Sequence, residues 1–240
     1  MKERPMIFSG EMVRAILDGR KTMTRRVVKP QPDLSVLKPE YRDLQFEFRR
    51  MPVLGPTHIP SEWGFCAKHD KPNCVPIYGY RCPYGQPGDR LWVKETLEKR
   101  RLNGITLADG RKIPGGSFAF YRADGKQCLV GGPGINEGIG WEWEKDVLSS
   151  IFMPRFASRI MLEITDVRVE RLQDISREDA KKEGFWPSDL NGLESWNGKL
   201  YGNANLAFEA CWDSINGKKP GRSWADNPWV WVISFKRIGG

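Results

Sequence analysis

Lysine, threonine and arginine crowd into one short stretch, Gly19-Arg20-Lys21-Thr22-Met23-Thr24-Arg25-Arg26, where the residue types suit acyl or proton transfer. A lysine that has lost its proton is a base, a threonine hydroxyl beside it is a nucleophile or a hydrogen-bond donor, and arginines hold anions. Alternation along a strand from Thr22 to Val28 puts Thr22, Thr24 and Arg26 on one face and Met23, Arg25 and Val27 on the other. Lys21 then stands at the mouth of that strand, within reach of Thr24. The plainer alternative is a solvated basic turn, which is what most charge runs are.

The elements that must position these residues are short. Ser9 to Asp18 reads as a helix with Ser9 as N-cap, Glu11 in the first turn, and Gly19 just past the end. Its apolar face is Met12, Val13, Ile16 and Leu17, and Pro5 to Phe8 forms a strand before it. A second helix spans Ser176 to Gly184, with Ser176 as N-cap, Asp179 three residues on and Gly184 as the stop. Glu183 falls in its last turn, where the negative end of the helix dipole disfavours a carboxylate and so suits a proton donor. A third helix runs from Asn203 to Ile215, with Leu206, Ala207, Ala210, Cys211 and Trp212 as its apolar face.

Strands are expected at Leu91 to Glu95, at Ile160 to Leu172 and at Trp229 to Ile238, the last apolar on both faces in its first half. Ile160 to Leu172 reads as one long strand or as two that meet at a bend, the kind of bend a small barrel needs. The order of elements suggests an α+β fold, a single domain over 1–240 on a small, strongly curved sheet or barrel. Two long irregular insertions interrupt it, at about 33–85 and 99–150. In the first, prolines recur too often for long helices. The second holds a hairpin, Phe118 to Arg122 and Lys126 to Val130, around Asp124-Gly125. Its glycine-rich stretch Gly131 to Gly138 lacks the Lys-Ser/Thr ending of a phosphate loop and reads as a flexible loop.

Cys66, His69, Cys74 and Cys82 could close a tetrahedral zinc site that staples the first insertion, although paired C-x2-C knuckles are missing. With only His58 and His69 in the chain, a histidine-based catalytic metal centre is not expected, and no cofactor is called for. Five cysteines without a secretory signal read as reduced thiols. The N-terminus leads into too few apolar residues for a signal peptide, and no run approaches the roughly 18 needed to span a bilayer. A cytoplasmic protein without a membrane partner is expected. The net charge of +8 favours a polyanionic partner such as nucleic acid or a nucleotide, and ten tryptophans offer flat faces for base stacking.

Four segments together carry a resemblance: Ile16 to Arg26, Gly88 to Val93, Leu162 to Val167, and Trp231 to Lys236. They resemble the ASCH domain, whose fold is a PUA-like β-barrel and whose signature is a Gly-x-Lys segment with a following Arg after the first helix. Within that family the chain is most similar to small bacterial amidohydrolases that remove the acetyl group from N4-acetylcytidine. The resemblance covers residues 1–28, about 88–95, and about 159 onward; the two insertions lie outside it. It implies catalytic roles for Lys21, Thr24 and Glu183, with Arg26 beside them and Glu95 as the substitute should Glu183 fail. Arg20 and Trp186 complete the expected substrate-binding set.

Amide hydrolysis needs a nucleophile, a base and an acid for the departing amine. Either Lys21 activates Thr24 while Glu183 protonates the cytosine nitrogen, or Glu183 activates water while Lys21 and Thr24 hold the carbonyl oxygen. The insertions would wall the site and admit acyl groups larger than acetyl on a free nucleoside. The alternative is an RNA-binding module or a ribonuclease, in which the Arg20 to Lys29 run contacts phosphates and tryptophans stack on bases.

Overall fold

The computed structural model describes residues 1–33, 46–50, 63–67, 78–103, 105–106, 110, 112–113, 116–128, 143, 145–186, 194–196 and 198–239. In chain order the elements are β1 (Glu3–Ile7), α1 (Gly10–Leu17), β2 (Met23–Val27), β3 (Phe46–Arg50), β4 (Trp63–Ala67), β5 (Tyr78–Tyr80), β6 (Arg90–Lys94) and β7 (Leu97–Leu102). Then come β8 (Ile105–Thr106), β9 (Lys112–Ile113), β10 (Gly116–Tyr121), β11 (Val147–Leu148), β12 (Met161–Arg171), α2 (Arg177–Lys182), β13 (Glu194–Trp196), β14 (Lys199–Tyr201), α3 (Ala204–Asn216) and β15 (Trp229–Arg237).

The protein is a mixed α/β structure with a mostly β core and few helices. Its main sheet has the strand order β1-β6-β12-β15-β2. That order ends in two edges, which corrects the expected barrel: the sheet is open. Pro5 suits the β1 edge, since it has no N–H to offer a further neighbour. The two stretches expected to be irregular also hold sheet. β3, β4 and β5 form an antiparallel meander, and β7 is paired on both sides, by β10 and β11. Prolines exclude long helices there, but they leave room for short strands between them.

The chain forms two compact units. Met1–Thr22, Gly88–Ile164 and Phe235–Gly240 make the first; Met23–Pro87 and Thr165–Ser234 make the second. In the first unit β1 runs parallel to β6, and β6 pairs antiparallel with Met161 to Glu163. Asp89 accepts hydrogen bonds from the Lys2 N–H and from Arg4, both at 2.7 Å. Gly88 N–H donates to Ile164 O and Ile164 N–H to Asp89 O, each at 2.9 Å, so the segment from 88 to 164 leaves and returns at one point. Apolar Val13, Ala15 and Ile16 bury one side of α1, whose Ser9 cap accepts from Met12 N–H as expected. A separate apolar cluster joins Leu97, Ala119, Tyr121, Cys128, Leu148, Met153 and Ala157. The hairpin turn lies where predicted, with Tyr121 N–H donating to Lys126 O and Gly125 at φ 71°.

In the second unit β2 pairs antiparallel with β15, and Val230 to Ile233 are buried on both faces, as their unbroken apolar run requires. Trp231 and Trp229 meet Trp63 and Phe65 edge to face, at 6.2 and 5.7 Å between ring centroids. α3 is capped by Asn203 and buries Ala204, Ala207, Phe208, Cys211 and Trp212, a stripe at helical spacing. Leu206, expected on that face, falls off the stripe and is exposed, while Phe208 takes its place. Phe185 after α2 packs on Phe208 at 5.9 Å. No helix among the described residues is long and apolar enough to cross a membrane.

Candidate functional site

β2 supplies the central side chains. Its register sets Thr24 opposite Ile233, Arg25 opposite Val232 and Arg26 opposite Trp231. Thr24 and Arg25 are buried, and Arg26 is half-buried with its Nε enclosed. The pleat sends Arg25 to the same side as Met23, whose Sδ lies 3.5 Å from its Nη1. The Arg25 side chain is wholly buried, and three carboxylates surround it: Glu170 at 2.5 Å, Asp179 at 3.2 Å and Glu183 at 3.3 Å. The Phe208 ring lies 5.8 Å from its guanidinium carbon.

Glu183 reaches this group through α2. Ser176 caps the helix by accepting from Asp179 N–H, and Gly184, at φ 107°, lets the chain leave after Glu183. Asp179 and Glu183 are four residues apart, so they share the helix face that meets Arg25. Glu183 also acts on Arg26. Burial pushes the Arg26 guanidinium below its ordinary range, and Tyr84, Glu183 and Cys211 oppose that shift. Tyr84 is itself pushed up by burial, with Arg26 pulling it back. Glu183 thus stands near two guanidinium groups, those of Arg25 and Arg26.

The remaining expected residues stand elsewhere. Lys21 belongs to the first unit, where it is buried, with its Nζ 5.8 Å from the centre of the Phe8 ring. Its N–H donates to Ala15 O after Gly19, at φ 73°, has turned the chain out of α1. Arg20 is exposed and tied to Asp18 at 2.8 Å. Trp186 is exposed in the second unit, with Lys181 over its ring at 5.9 Å. Glu95, in the first unit, has both oxygens engaged by Arg159, at 3.0 and 2.8 Å, and its place is in that ion pair. The structure therefore gathers Thr24, Arg26 and Glu183 in one unit and assigns Lys21, Arg20 and Glu95 to the other.

Arg25, Tyr84 and Cys211 are members of this group that the sequence pattern does not single out. Arg25 stands beside Thr24 in the chain but on the opposite face of the strand, and its partners come from segments 145 to 158 residues away. Of the candidate zinc ligands, His69, Cys74 and the Cys66 side chain lie outside the described residues, and Cys82 is a buried thiol. Comparison with protein-family models, with curated proteins and with solved structures gives no match to this chain.

Proposed function

We propose that the protein hydrolyses the amide that joins an acyl group to N4 of a cytosine nucleoside, releasing the nucleoside and a carboxylate. One observation carries the reading. Among the described residues the buried polar or charged ones are Lys21, Thr24, Arg25, Asp89, Glu95 and Glu183, and three of these six are the Lys, Thr and Glu to which the ASCH resemblance gives catalytic roles. Burial of an ionisable side chain is costly, so burial at those positions is better explained by chemistry than by a solvated basic turn.

In this reading Glu183, whose Oε1 lies 3.3 Å from Arg25 Nη1, acts as the base. Water adds to the acyl carbonyl as Glu183 takes its proton; the same proton then passes to N4 as the carbon–nitrogen bond breaks. Thr24 is the donor to the developing oxyanion, while the part given to Lys21 rests on the resemblance alone. Within the basic run Arg25 is engaged by three carboxylates and Arg20 is paired with Asp18, which leaves fewer of its cations for a polyanion.

The test is incubation with N4-acetylcytidine and bulkier N4-acyl cytidines, followed by the ultraviolet shift to cytidine. Wild-type turnover is expected, reduced about 10²-fold or more in Glu183→Gln, Thr24→Ala and Lys21→Ala. Salt-sensitive RNA binding with no turnover of any N4-acyl cytosine overturns the reading in favour of the nucleic-acid one.

A further inference from the structure

We propose that Arg25 is the positioning residue that aims the Glu183 carboxylate, an inference that rests on the hydrolase reading. Arg25 contacts no solvent, so a direct grip on substrate is not its work; its donors are instead distributed over carboxylates. Nε and Nη2 donate to Glu170 Oε1 at 3.0 and 2.5 Å, Nη2 also to Asp179 Oδ2 at 3.2 Å, and Nη1 to Glu183 Oε1 at 3.3 Å. Arg168 braces the far side of the cluster, donating to Glu170 Oε2 at 3.1 Å and to Asp179 Oδ2 at 2.5 Å. Three elements meet in this cluster: β2 brings Arg25, β12 brings Arg168 and Glu170, and α2 with its cap brings Asp179 and Glu183.

The consequence is geometric. Glu170 and Asp179 fix the plane of the guanidinium, and a fixed plane leaves Nη1 one direction in which to hold Glu183 Oε1. A base must lie within hydrogen-bond reach of the proton it takes, and a displacement of about 1 Å costs on the order of 10²-fold in rate. Lysine at position 25 would keep the charge but lack the planar fork that meets three carboxylates together. The Arg25 side chain is shielded from solvent and acts through Glu183, so the loss should fall on kcat and spare KM.

The experiment compares wild type, Arg25→Lys and Glu170→Gln in N4-acetylcytidine hydrolysis, with folding checked by circular dichroism. Arg25→Lys is expected to lower kcat about 10²-fold with KM unchanged within about two-fold. Glu170→Gln leaves Arg25 and Glu183 in place, loosens the plane, and is expected to lower kcat about ten-fold, again with KM held. If Arg25→Lys does not fold, Glu170→Gln decides alone. Active wild type with unchanged kcat in the folded variants, or with the loss in KM only, overturns the role of Arg25 and leaves the hydrolase reading standing. Wild type inactive on every N4-acyl cytosine overturns both.

Discussion

Replacement of Arg159 by methionine should destabilise the first unit by about 3–5 kcal/mol, the cost of removing one partner from a buried ion pair. Glu95 is 1% exposed, and both of its oxygens accept from Arg159. The guanidinium carbon also lies 3.8 Å from the centre of the Tyr121 ring, a cation–π contact worth about 1–2 kcal/mol where it is shielded from water. Asp124 takes two further donors of Arg159, at 2.8 and 3.0 Å, but from an exposed turn, so Asp124→Asn should cost under about 1 kcal/mol. Against a total stability of roughly 5–15 kcal/mol, the Arg159→Met loss is severe. Glu95→Gln in the same chain should restore most of it, because no buried carboxylate is then left without its partner.

The effect has a defined direction in pH. Burial holds the Glu95 carboxyl above its ordinary range, with Arg159 pulling it back. The folded state therefore binds that proton more tightly than the unfolded state does. Its contribution is present below the ordinary glutamate range and is lost as pH rises through the raised value. Without Arg159 the carboxyl is held higher still, so the Arg159→Met deficit should be smallest near pH ~4 and widen toward neutrality. Urea unfolding followed by tryptophan fluorescence at several pH values measures it. A cost near 1 kcal/mol, a double variant as unstable as the single one, or a deficit that narrows toward neutral pH would refute the reasoning.

Two further outcomes follow from local geometry. Tyr121→Phe removes the donor to Ala157 O, a buried bond of 2.8 Å, and should cost about 1–3 kcal/mol in the same urea assay, since the carbonyl is left without that donor. Gly19→Ala meets no atom within 4 Å and is strained only by its φ of 73°, so the loss should be about 1–2 kcal/mol, read as a lower melting temperature.

Much of this arrangement is legible in the sequence, because it follows from local chemistry. Ser9 and Ser176 cap their helices, Gly19 and Gly184 end them, and the apolar run at Trp229 lies in the sheet interior, since each depends on neighbours a few residues away. Whether the sheet closes is not legible in the same way, as it depends on which edges find partners. Leu206 lies off the buried stripe because it stands about 100° around the helix from Ala207. Lys21, Thr24 and Glu183 stand out by chain pattern, and all three are buried. Arg25 does not stand out, because its meaning lies in Glu170, Asp179 and Glu183, and no spacing along the chain announces a cluster assembled from three separated segments.

The division of the first unit among three stretches of chain also has a consequence in time. Met1–Thr22 leaves the ribosome before the other two stretches of this unit, carrying Met6, Phe8, Val13 and Ile16, all buried in the folded protein. Its partners come late: β6 begins at Arg90, and Phe235, whose ring meets Phe8 at 6.1 Å and whose N–H donates to Thr22 O, follows Thr22 by 213 residues. At roughly 5–20 residues per second, synthesis leaves those apolar side chains without their final neighbours for about 10–40 seconds. During that interval α1 is open to aggregation or to capture by a chaperone.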